Sequence, residues 1–316
     1  MEIYHNLEEV DLKGTKLLVA LGNFDGVHLG HRQLLGQLVA TAREQGVKAA
    51  VLTFDPHPLQ VINPEISPPL LLNPAEKARQ IASLGVDMLI LVPFTIEFAG
   101  LPPEEFVANI LVDRLKVNGI FVGWNYNFGR GGRGNTELLA ALGDQYGFFV
   151  RVVKPVSYQG QVVSSTLIRE LLQQGEVSKA TVFLGYRPYF SGLVVHGDAR
   201  GRTIGFPTAN LELAPNLVKP AKGVYAVYFL LGNRILKGVA NIGVKPTFHQ
   251  QGQTPNLEVF IFDFAGDIYG EEVRVELVAR IRDEKTFSSV DELISQLRED
   301  VEQAQIILAA ENDDIW

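Results

Sequence analysis

The chain has 316 residues, a formal net charge of −8 at pH 7 and no cysteine. Its length allows two domains with separate cores, and the lack of cysteine excludes disulfides and thiolate catalysis. The acidic balance argues against a nucleic-acid partner, because such partners are normally bound by clustered Lys and Arg. We also expect no secretory signal and no membrane span, and hence a cytoplasmic protein.

The first half alternates apolar runs with helical patterns. Strands are predicted at 17–21, 49–54, 88–94, 119–123 and 148–153, and helices near 31–45, 73–84, 103–115 and 136–146. Strands that are apolar on both faces and separated by helices indicate βαβ units. The fold class predicted for this half is therefore α/β, a doubly wound parallel sheet of the Rossmann-like kind.

From Tyr189 onward the apolar period is two. Strands are predicted at 189–196, 257–264 and 272–281, with a hairpin of 224–229 and 235–240 around Gly232 and Asn233. A C-terminal helix follows, with Ser289 and Glu292 as a capping box. The prediction is a small antiparallel β-barrel with a C-terminal helix, and a domain boundary that leaves 1–185 and 186–316 on its two sides.

A glycine-rich turn with two histidines, Gly22 to His31, lies between the first strand and the first helix. Such a turn brings backbone N–H groups and the positive end of a helix dipole to one point, which suits a phosphate. His28 and His31 are three residues apart and can both donate to one oxyanion. The alternatives are a purely structural turn and a His-x-x-His metal pair, which has no cysteine or Glu partner in its favour.

Two more turns follow strands at the same predicted sheet edge, at Asp55 to Pro58 and at Gly123 to Gly134. Asp25 and Asp55 are candidates for holding a ribose or a magnesium-bound water, or are simple turn residues. The glycine-rich stretch 129–134, with two arginines, is either a phosphate-grasping flap or a flexible connector.

A second polar cluster, Ser164 to Arg169, begins a later helix. Its hydroxyls and its guanidinium suit the β and γ phosphates of a nucleoside triphosphate that reacts at its α phosphate. Standing alone, the same cluster is typical of an N-cap.

The second half opens with a glycine-rich stretch that contains Gly197 and Arg202 and ends in Thr208 and Asn210. Glycines let the backbone approach a phosphate, and the two oxygen-bearing side chains share one face of an extended segment, which suits a magnesium–nucleotide pair. A turn followed by a polar strand end is the alternative.

Glu258 falls on the same face of its predicted strand as Phe260, Phe262 and Phe264. A carboxylate on an aromatic face is either an edge residue or a base whose pKa is raised by apolar neighbours.

The Gly22–His31 and Ser164–Arg169 motifs together resemble the nucleotidyltransferase module of the bacterial bifunctional riboflavin kinase/FAD synthetase family. The resemblance implies that His28, His31, Ser164 and Arg169 serve adenylylation of FMN by ATP. It further implies ATP contacts at Gly22, Phe24, Asp25 and Ser165, and flavin contacts at Asn125 and Phe128.

The motif from Gly205 to Asn210, together with 238–243 and Glu258, resembles the riboflavin kinase barrel of the same family. The resemblance implies Mg²⁺ at Thr208 and Asn210, ATP contacts at Gly197, Arg202, Thr208 and Asn210, and Glu258 as the base for the ribityl 5′-hydroxyl. Phe206, Glu258 and Arg282 are then flavin contacts, with Arg282 in a loop over the flavin.

The expected function is therefore phosphorylation of riboflavin to FMN in the second domain and conversion of FMN to FAD in the first. The expected partners are small molecules, namely riboflavin, FMN, FAD and ATP, and the oligomeric state stays open. One alternative is an adenylyltransferase for another phosphorylated acceptor, with the second domain as a lid. The other is a flavin-storage or sensing protein without turnover.

Overall fold

The computed structural model describes residues 1–12, 14–197, 201, 204–244 and 255–311. The chain divides into two compact units, Met1–Ser165 and Thr166–Trp316. A parallel sheet forms the centre of the first unit and an antiparallel barrel the centre of the second.

The first unit contains six parallel strands: β1 (Glu2–Tyr4), β2 (Leu17–Leu21), β3 (Lys48–Phe54), β4 (Met88–Val92), β5 (Val117–Gly123) and β6 (Phe149–Val153). Their order in the sheet is β1-β4-β3-β2-β5-β6. Every residue of β2 and β4 is buried, because helices cover both faces of a doubly wound sheet. The predicted fold class is confirmed, and β1 is an edge strand too short for the sequence pattern to reveal.

The helices of this unit are α1 (Leu29–Gln45), α2 (Pro58–Ile62), α3 (Pro74–Ser83), α4 (Ile96–Ala99), α5 (Pro103–Glu105) and α6 (Thr136–Tyr146), with 3₁₀ turns at Pro64–Ile66 and Arg130–Gly132. A small hairpin of β7 (Ser157–Tyr158) and β8 (Gln161–Val162) follows the sheet. The single helix predicted over 103–115 is instead α5 followed by a π-helix, Phe106–Arg114. The Arg114 side chain at its end donates to the carbonyls of Leu7, Glu8 and Val10. These acceptors lie more than 100 residues away, so a local sequence pattern could not predict the contacts.

The second unit is a closed barrel of six antiparallel strands in the order β10-β13-β12-β11-β14-β9. These are β9 (Tyr189–Val195), β10 (Thr208–Glu212), β11 (Gly223–Leu231), β12 (Arg234–Val244), β13 (Pro255–Ile261) and β14 (Glu272–Arg282). The barrel and its hairpin at Gly232 are confirmed. The strand predicted to reach residue 264 ends at Ile261, since Asp263 turns the chain with a φ of 50°.

The described part of the chain after the parallel sheet contains three longer helices: α7 (Ser165–Gln173), α8 (Val177–Leu184) and α9 (Val290–Ala310). Ser289 caps α9 as predicted, by accepting from the Glu292 backbone N–H at 3.2 Å. The Glu292 carboxylate, however, accepts from Ser288 rather than from the cap residue. Ala304 and Leu308 of α9 are buried in one apolar cluster with Val224 and Val278 of the barrel.

Candidate active sites

The histidine turn has the strand–turn–helix form that its sequence predicts. β2 ends at Leu21, and α1 begins at Leu29 with His28 as its N-cap. Phe24 and Val27 adopt left-handed φ values of 50° and 36°, which are uncommon for residues other than glycine. Both side chains are fully buried, so core packing holds the turn in this conformation.

His28 and His31 lie together with their rings stacked at a centroid distance of 3.6 Å. His28 Nδ1 accepts the backbone N–H of His31 at 3.4 Å. A neutral imidazole that accepts at Nδ1 carries its proton on Nε2, so His28 offers Nε2–H as a donor. Burial, followed by electrostatic interaction with His28 and Lys77, lowers the pKa of His31 well below 6.5, and its ring is therefore neutral at pH 7.

This arrangement does not favour the metal-pair alternative, because the cap hydrogen bond occupies one of the His28 nitrogens. Among the residues that the structure describes, no group of three or more His, Cys, Asp or Glu side chains could hold a metal ion.

Asp25 links the turn to its surroundings. Its buried carboxylate accepts from the backbone N–H of Leu71 at 2.9 and 3.2 Å and from that of Leu72 at 3.4 Å. Its backbone carbonyl accepts from Ser165 Oγ at 2.9 Å. The side-chain contacts are those of a turn residue, and the Ser165 hydrogen bond ties that residue to the histidine turn.

The remaining residues of the two motifs have defined places. A Cβ on Gly22 would lie 3.2 Å from the Phe24 ring, so the glycine permits this ring to fold back over the turn. Ser164 is half-buried directly before α7, and Arg169 is buried within that helix.

Sequence reasoning missed Lys77 of α3. Its ammonium is buried and donates to the carbonyls of Asn23 and Phe54, each at 3.4 Å, and to Thr53 Oγ1 at 3.3 Å. A signal was present in the sequence: Lys77 lies four residues before the fully buried Ile81, on the apolar stripe of its helix.

The third turn brings Asn125 to the carboxyl end of β5, next to β2 in the sheet. Asn125 is exposed, whereas Phe128 is buried at 6% exposure. The glycine stretch that follows is held by backbone hydrogen bonds. Phe128 and Gly134 exchange backbone hydrogen bonds of 3.0 and 2.9 Å, and the Arg130 N–H donates to the Leu101 carbonyl at 2.7 Å, so the stretch is a closed, anchored loop.

An aromatic chain that the sequence did not reveal lies in the same unit. Neighbouring rings have centroid distances of 5.1 to 6.1 Å, in the order Phe94, Phe54, Phe98, Phe106 and Phe128. Its members come from separate strands, helices and turns, so no local pattern could predict it. Packing against Phe106 in this chain buries Phe128.

In the barrel, three polar residues occupy directly opposed positions on adjacent strands. Glu258 of β13 pairs with Asn210 of β10 on one side and with Asn241 of β12 on the other. Directly opposed residues of antiparallel strands share one face, so Asn210, Glu258 and Asn241 form a polar row. Asn241 lies in the 238–243 motif, but the sequence assigned it no role.

Gly197 lies against this row, and Gly201 lies near Phe206 and Thr208. A Cβ on Gly197 would overlap the Asn210 amide, and one on Gly201 would overlap the Phe206 carbonyl and lie 3.8 Å from the Thr208 hydroxyl. Only glycine therefore allows the backbone to come this close. The predicted ATP contact Arg202 lies outside the described residues.

The aromatic face around Glu258 is shorter than predicted. Phe260 packs edge-on against Phe206 at 5.2 Å and against Phe262 at 6.0 Å. Phe264 lies beyond the end of β13, so its predicted place on this face was wrong. Glu258 itself is half-buried.

Arg282 requires a second correction, because it is the last residue of β14 and does not lie in a loop. Its Nε and Nη2 atoms donate to the two carboxylate oxygens of Asp300 at 2.7 and 2.6 Å, and Nη1 donates to the Asp283 carbonyl at 2.8 Å. Register pairs it with Val224, which pairs with Asn241, so it shares the face of the polar row.

Comparison with known proteins assigns each half of the chain to a family. Residues 12–167 match the family model for FAD synthetase, and residues 184–308 match that for riboflavin kinase. A curated relative from Bacillus subtilis (strain 168), the bifunctional riboflavin kinase/FMN adenylyltransferase, is 39% identical over 308 residues, which are 96% of each chain. The chain belongs to this family.

Another bifunctional riboflavin kinase/FMN adenylyltransferase, from Escherichia coli (strain K12), is 41% identical over 297 residues, covering 94% of this chain and 93% of its own. A crystal structure from Streptococcus pneumoniae, named a macrolide-efflux protein, has a TM-score of 0.87 at 35% identity and covers 98% of this chain and 99% of its own. The family predicted from the motifs is thus confirmed. In the described part of this family member, no helix is long and apolar enough to cross a membrane.

Proposed function

We infer that the chain carries out both reactions of its family, phosphorylation of riboflavin to FMN in the barrel unit and adenylylation of FMN to FAD in the parallel-sheet unit. The order of the two family matches supports this division. We propose 1–185 and 186–316 as the functional domains. The absence of cysteine from the chain fits a reducing compartment such as the cytoplasm, which we propose as its location.

For the adenylyl transfer, the supporting observation is the stacked histidine pair at the start of α1. A phosphate oxygen of FMN attacks the α phosphorus of ATP, the new P–O bond forms, and the bond to the β-phosphate oxygen breaks to release pyrophosphate. We propose that His28 Nε2–H and the α1 amino terminus stabilise the charge that develops on the α phosphate. Ser164, Ser165 and Arg169 would bind the departing pyrophosphate.

For the kinase reaction, the supporting observation is the polar row of Asn210, Glu258 and Asn241. We propose that Glu258 accepts the proton of the ribityl 5′-hydroxyl while that oxygen attacks the γ phosphorus and ADP leaves. Phe206, next to Phe260, would contact the flavin. Arg282 would act by holding the end of β14 against α9 through Asp300.

The family also implies Mg²⁺, and the donor set fits it. Thr208 and Asn210 offer neutral oxygens, and the backbone at Gly197 and Gly201 lies close to these two side chains. A site with so few protein oxygens suits an ion that keeps its waters and binds substrate phosphates. We propose that Thr208 and Asn210 hold Mg²⁺ together with ATP, where the ion would neutralise phosphate charge.

Chromatography of riboflavin, FMN and FAD after incubation of the protein with riboflavin, ATP and Mg²⁺ tests the proposal. We expect FMN to appear first and FAD to follow. If riboflavin is bound but neither product forms, the storage alternative holds and the proposal is wrong. If FAD forms from supplied FMN but riboflavin is never phosphorylated, the barrel is a lid and the kinase assignment is wrong.

A further inference from the structure

Lys77 is a buried cation beneath the histidine turn, and none of the site assignments uses it. It is 9% exposed, although lysine is almost never buried without a partner. Its ammonium makes no ion pair within hydrogen-bond distance in the described structure and instead contacts the backbone carbonyls of Asn23 and Phe54 and the hydroxyl of Thr53.

Those three acceptors lie where two neighbouring strands end. Asn23 follows β2, and Thr53 and Phe54 are the last residues of β3. Thr53 Oγ1 also donates to the Asn23 carbonyl at 3.0 Å. One ammonium therefore joins the starts of the two turns that follow β2 and β3 at the carboxyl edge of the sheet. The α3 segment that carries it is docked to the same turn through the contacts of Asp25 with Leu71 and Leu72.

The charge of Lys77 acts on its neighbours as well. Burial lowers the pKa of Lys77. Asp25 and Asp55, on the turns after β2 and β3, act in the opposite direction because they favour the charged ammonium. His31 on α1 experiences this cation together with His28, and both lower its pKa. Burial is the largest cause of the lowered His31 pKa, and the described groups that add to it are His28 from its own turn and Lys77 from α3, with Asp25 and Asp55 interacting with Lys77.

We propose that Lys77 is a positioning residue for the adenylyl transfer: its ammonium fixes the two turns against each other and so holds the histidine pair in place. This rests on the proposed role of the histidine pair. The pyrophosphate-releasing step itself is unchanged, since Lys77 neither takes nor gives a proton in it.

The test is steady-state FAD formation from supplied FMN and ATP between about pH 5 and pH 8, with riboflavin phosphorylation measured on the same samples. Lys77→Met removes the donor and the charge. Lys77→Gln keeps an N–H donor without the charge, and it carries the test if the Met variant does not fold. Thr53→Val keeps the charge and removes the bridging hydroxyl. Lys48→Met, at the exposed opposite end of β3, is the matched control.

We expect Lys77→Met to lower kcat for FAD formation by about 10- to 100-fold, the range for a displaced catalytic group, with KM for ATP changed far less. In both Lys77 variants the acid side of the pH profile of kcat for FAD formation should move to higher pH by about one unit. Thr53→Val should lower kcat without shifting this profile. Riboflavin phosphorylation and the Lys48→Met control should remain within about twofold of wild type, a difference small on the scale of measured effects.

Two results overturn the inference. One is a Lys77→Met protein with wild-type kcat and pH profile. The other is a pH profile whose acid side moves equally in Thr53→Val and Lys77→Gln, which would make the role of Lys77 structural only. His28→Ala separates this inference from the site assignment. If His28→Ala leaves FAD formation intact, the proposed histidine site is wrong; if it abolishes FAD formation while Lys77→Met does not, only the role of Lys77 fails.

Discussion

Arg282 and Asp300 are joined by two hydrogen bonds of 2.7 and 2.6 Å that tie the end of β14 to α9. The Asp300 side chain is only 2% exposed and that of Arg282 15%. The pair is therefore largely removed from water, and loss of one partner leaves an uncompensated charge in the interior.

Arg282→Met should destabilise the barrel unit by about 3–5 kcal/mol, the usual cost of breaking a buried pair from one side. The measurement is the urea concentration at which each variant and the wild type unfold, followed by circular dichroism. Lys48→Met, which removes an exposed pair with Glu2 at 3.3 Å, should cost no more than about 1 kcal/mol. Equal losses for the two variants would contradict the assigned role of the Arg282–Asp300 pair.

Gly197→Ala should weaken MgATP binding at the kinase site. The added Cβ would overlap the Asn210 amide, and overpacking of about 1–3 kcal/mol corresponds to a rise of about 5- to 150-fold in KM for ATP. Gly36→Ala is the control, since nothing lies within 4 Å of its Cβ in the exposed middle of α1. That variant should gain roughly 0.5–1 kcal/mol of stability with both activities unchanged. A normal KM for ATP in Gly197→Ala would contradict the proposed role of Gly197 in ATP binding.

The parallel-sheet unit should lose stability in mild acid because of His31. The pKa of this ring is held below its ordinary value of 6.5 in the folded chain, so the unfolded chain binds the proton first as pH falls. The His31 contribution is complete above about pH 6.5 and is lost as pH falls from there toward the folded-state pKa. His31→Gln should flatten this part of the dependence in urea titrations at several pH values. Identical slopes for the variant and wild type would show that His31 titrates normally.

Asn125 and Phe128 should respond differently to truncation. Phe128→Ala opens a cavity beside Phe106 in the core and should cost about 3–5 kcal/mol of stability. Asn125→Ala changes an exposed residue at the end of β5 and should raise KM for FMN with stability within about 0.5 kcal/mol of wild type. The prediction fails if Asn125→Ala unfolds at lower urea while its KM for FMN stays normal.

The sequence predicts those parts of the site whose residues are neighbours along the chain. The turn before α1 is one contiguous segment, so strand, glycines, histidines and helix start are all visible in the spacing. Its consequences in three dimensions are not. The contacts of Lys77 with Asn23 and Phe54 span 54 and 23 residues, and the polar row around Glu258 depends on a register that no periodicity specifies.

The two wrong predictions in the barrel have different origins. The family resemblance implied that Arg282 lies in a loop, whereas the residue ends β14 and binds Asp300 of α9, 18 residues later. The local pattern placed Phe264 on the Glu258 face because a period of two continues past the end of β13, where Asp263 has a left-handed φ of 50°.

The central claim is that two separate sites act in sequence on one flavin, and mixing two single-site variants tests it most directly. Given riboflavin, ATP and Mg²⁺, Glu258→Gln alone should form neither product, and His28→Ala alone should accumulate FMN. The mixture should form FAD, because FMN released by one protein is adenylylated by the other. If Glu258→Gln also fails to convert supplied FMN to FAD, or if the mixture forms no FAD although each variant is folded, the two-site account is contradicted.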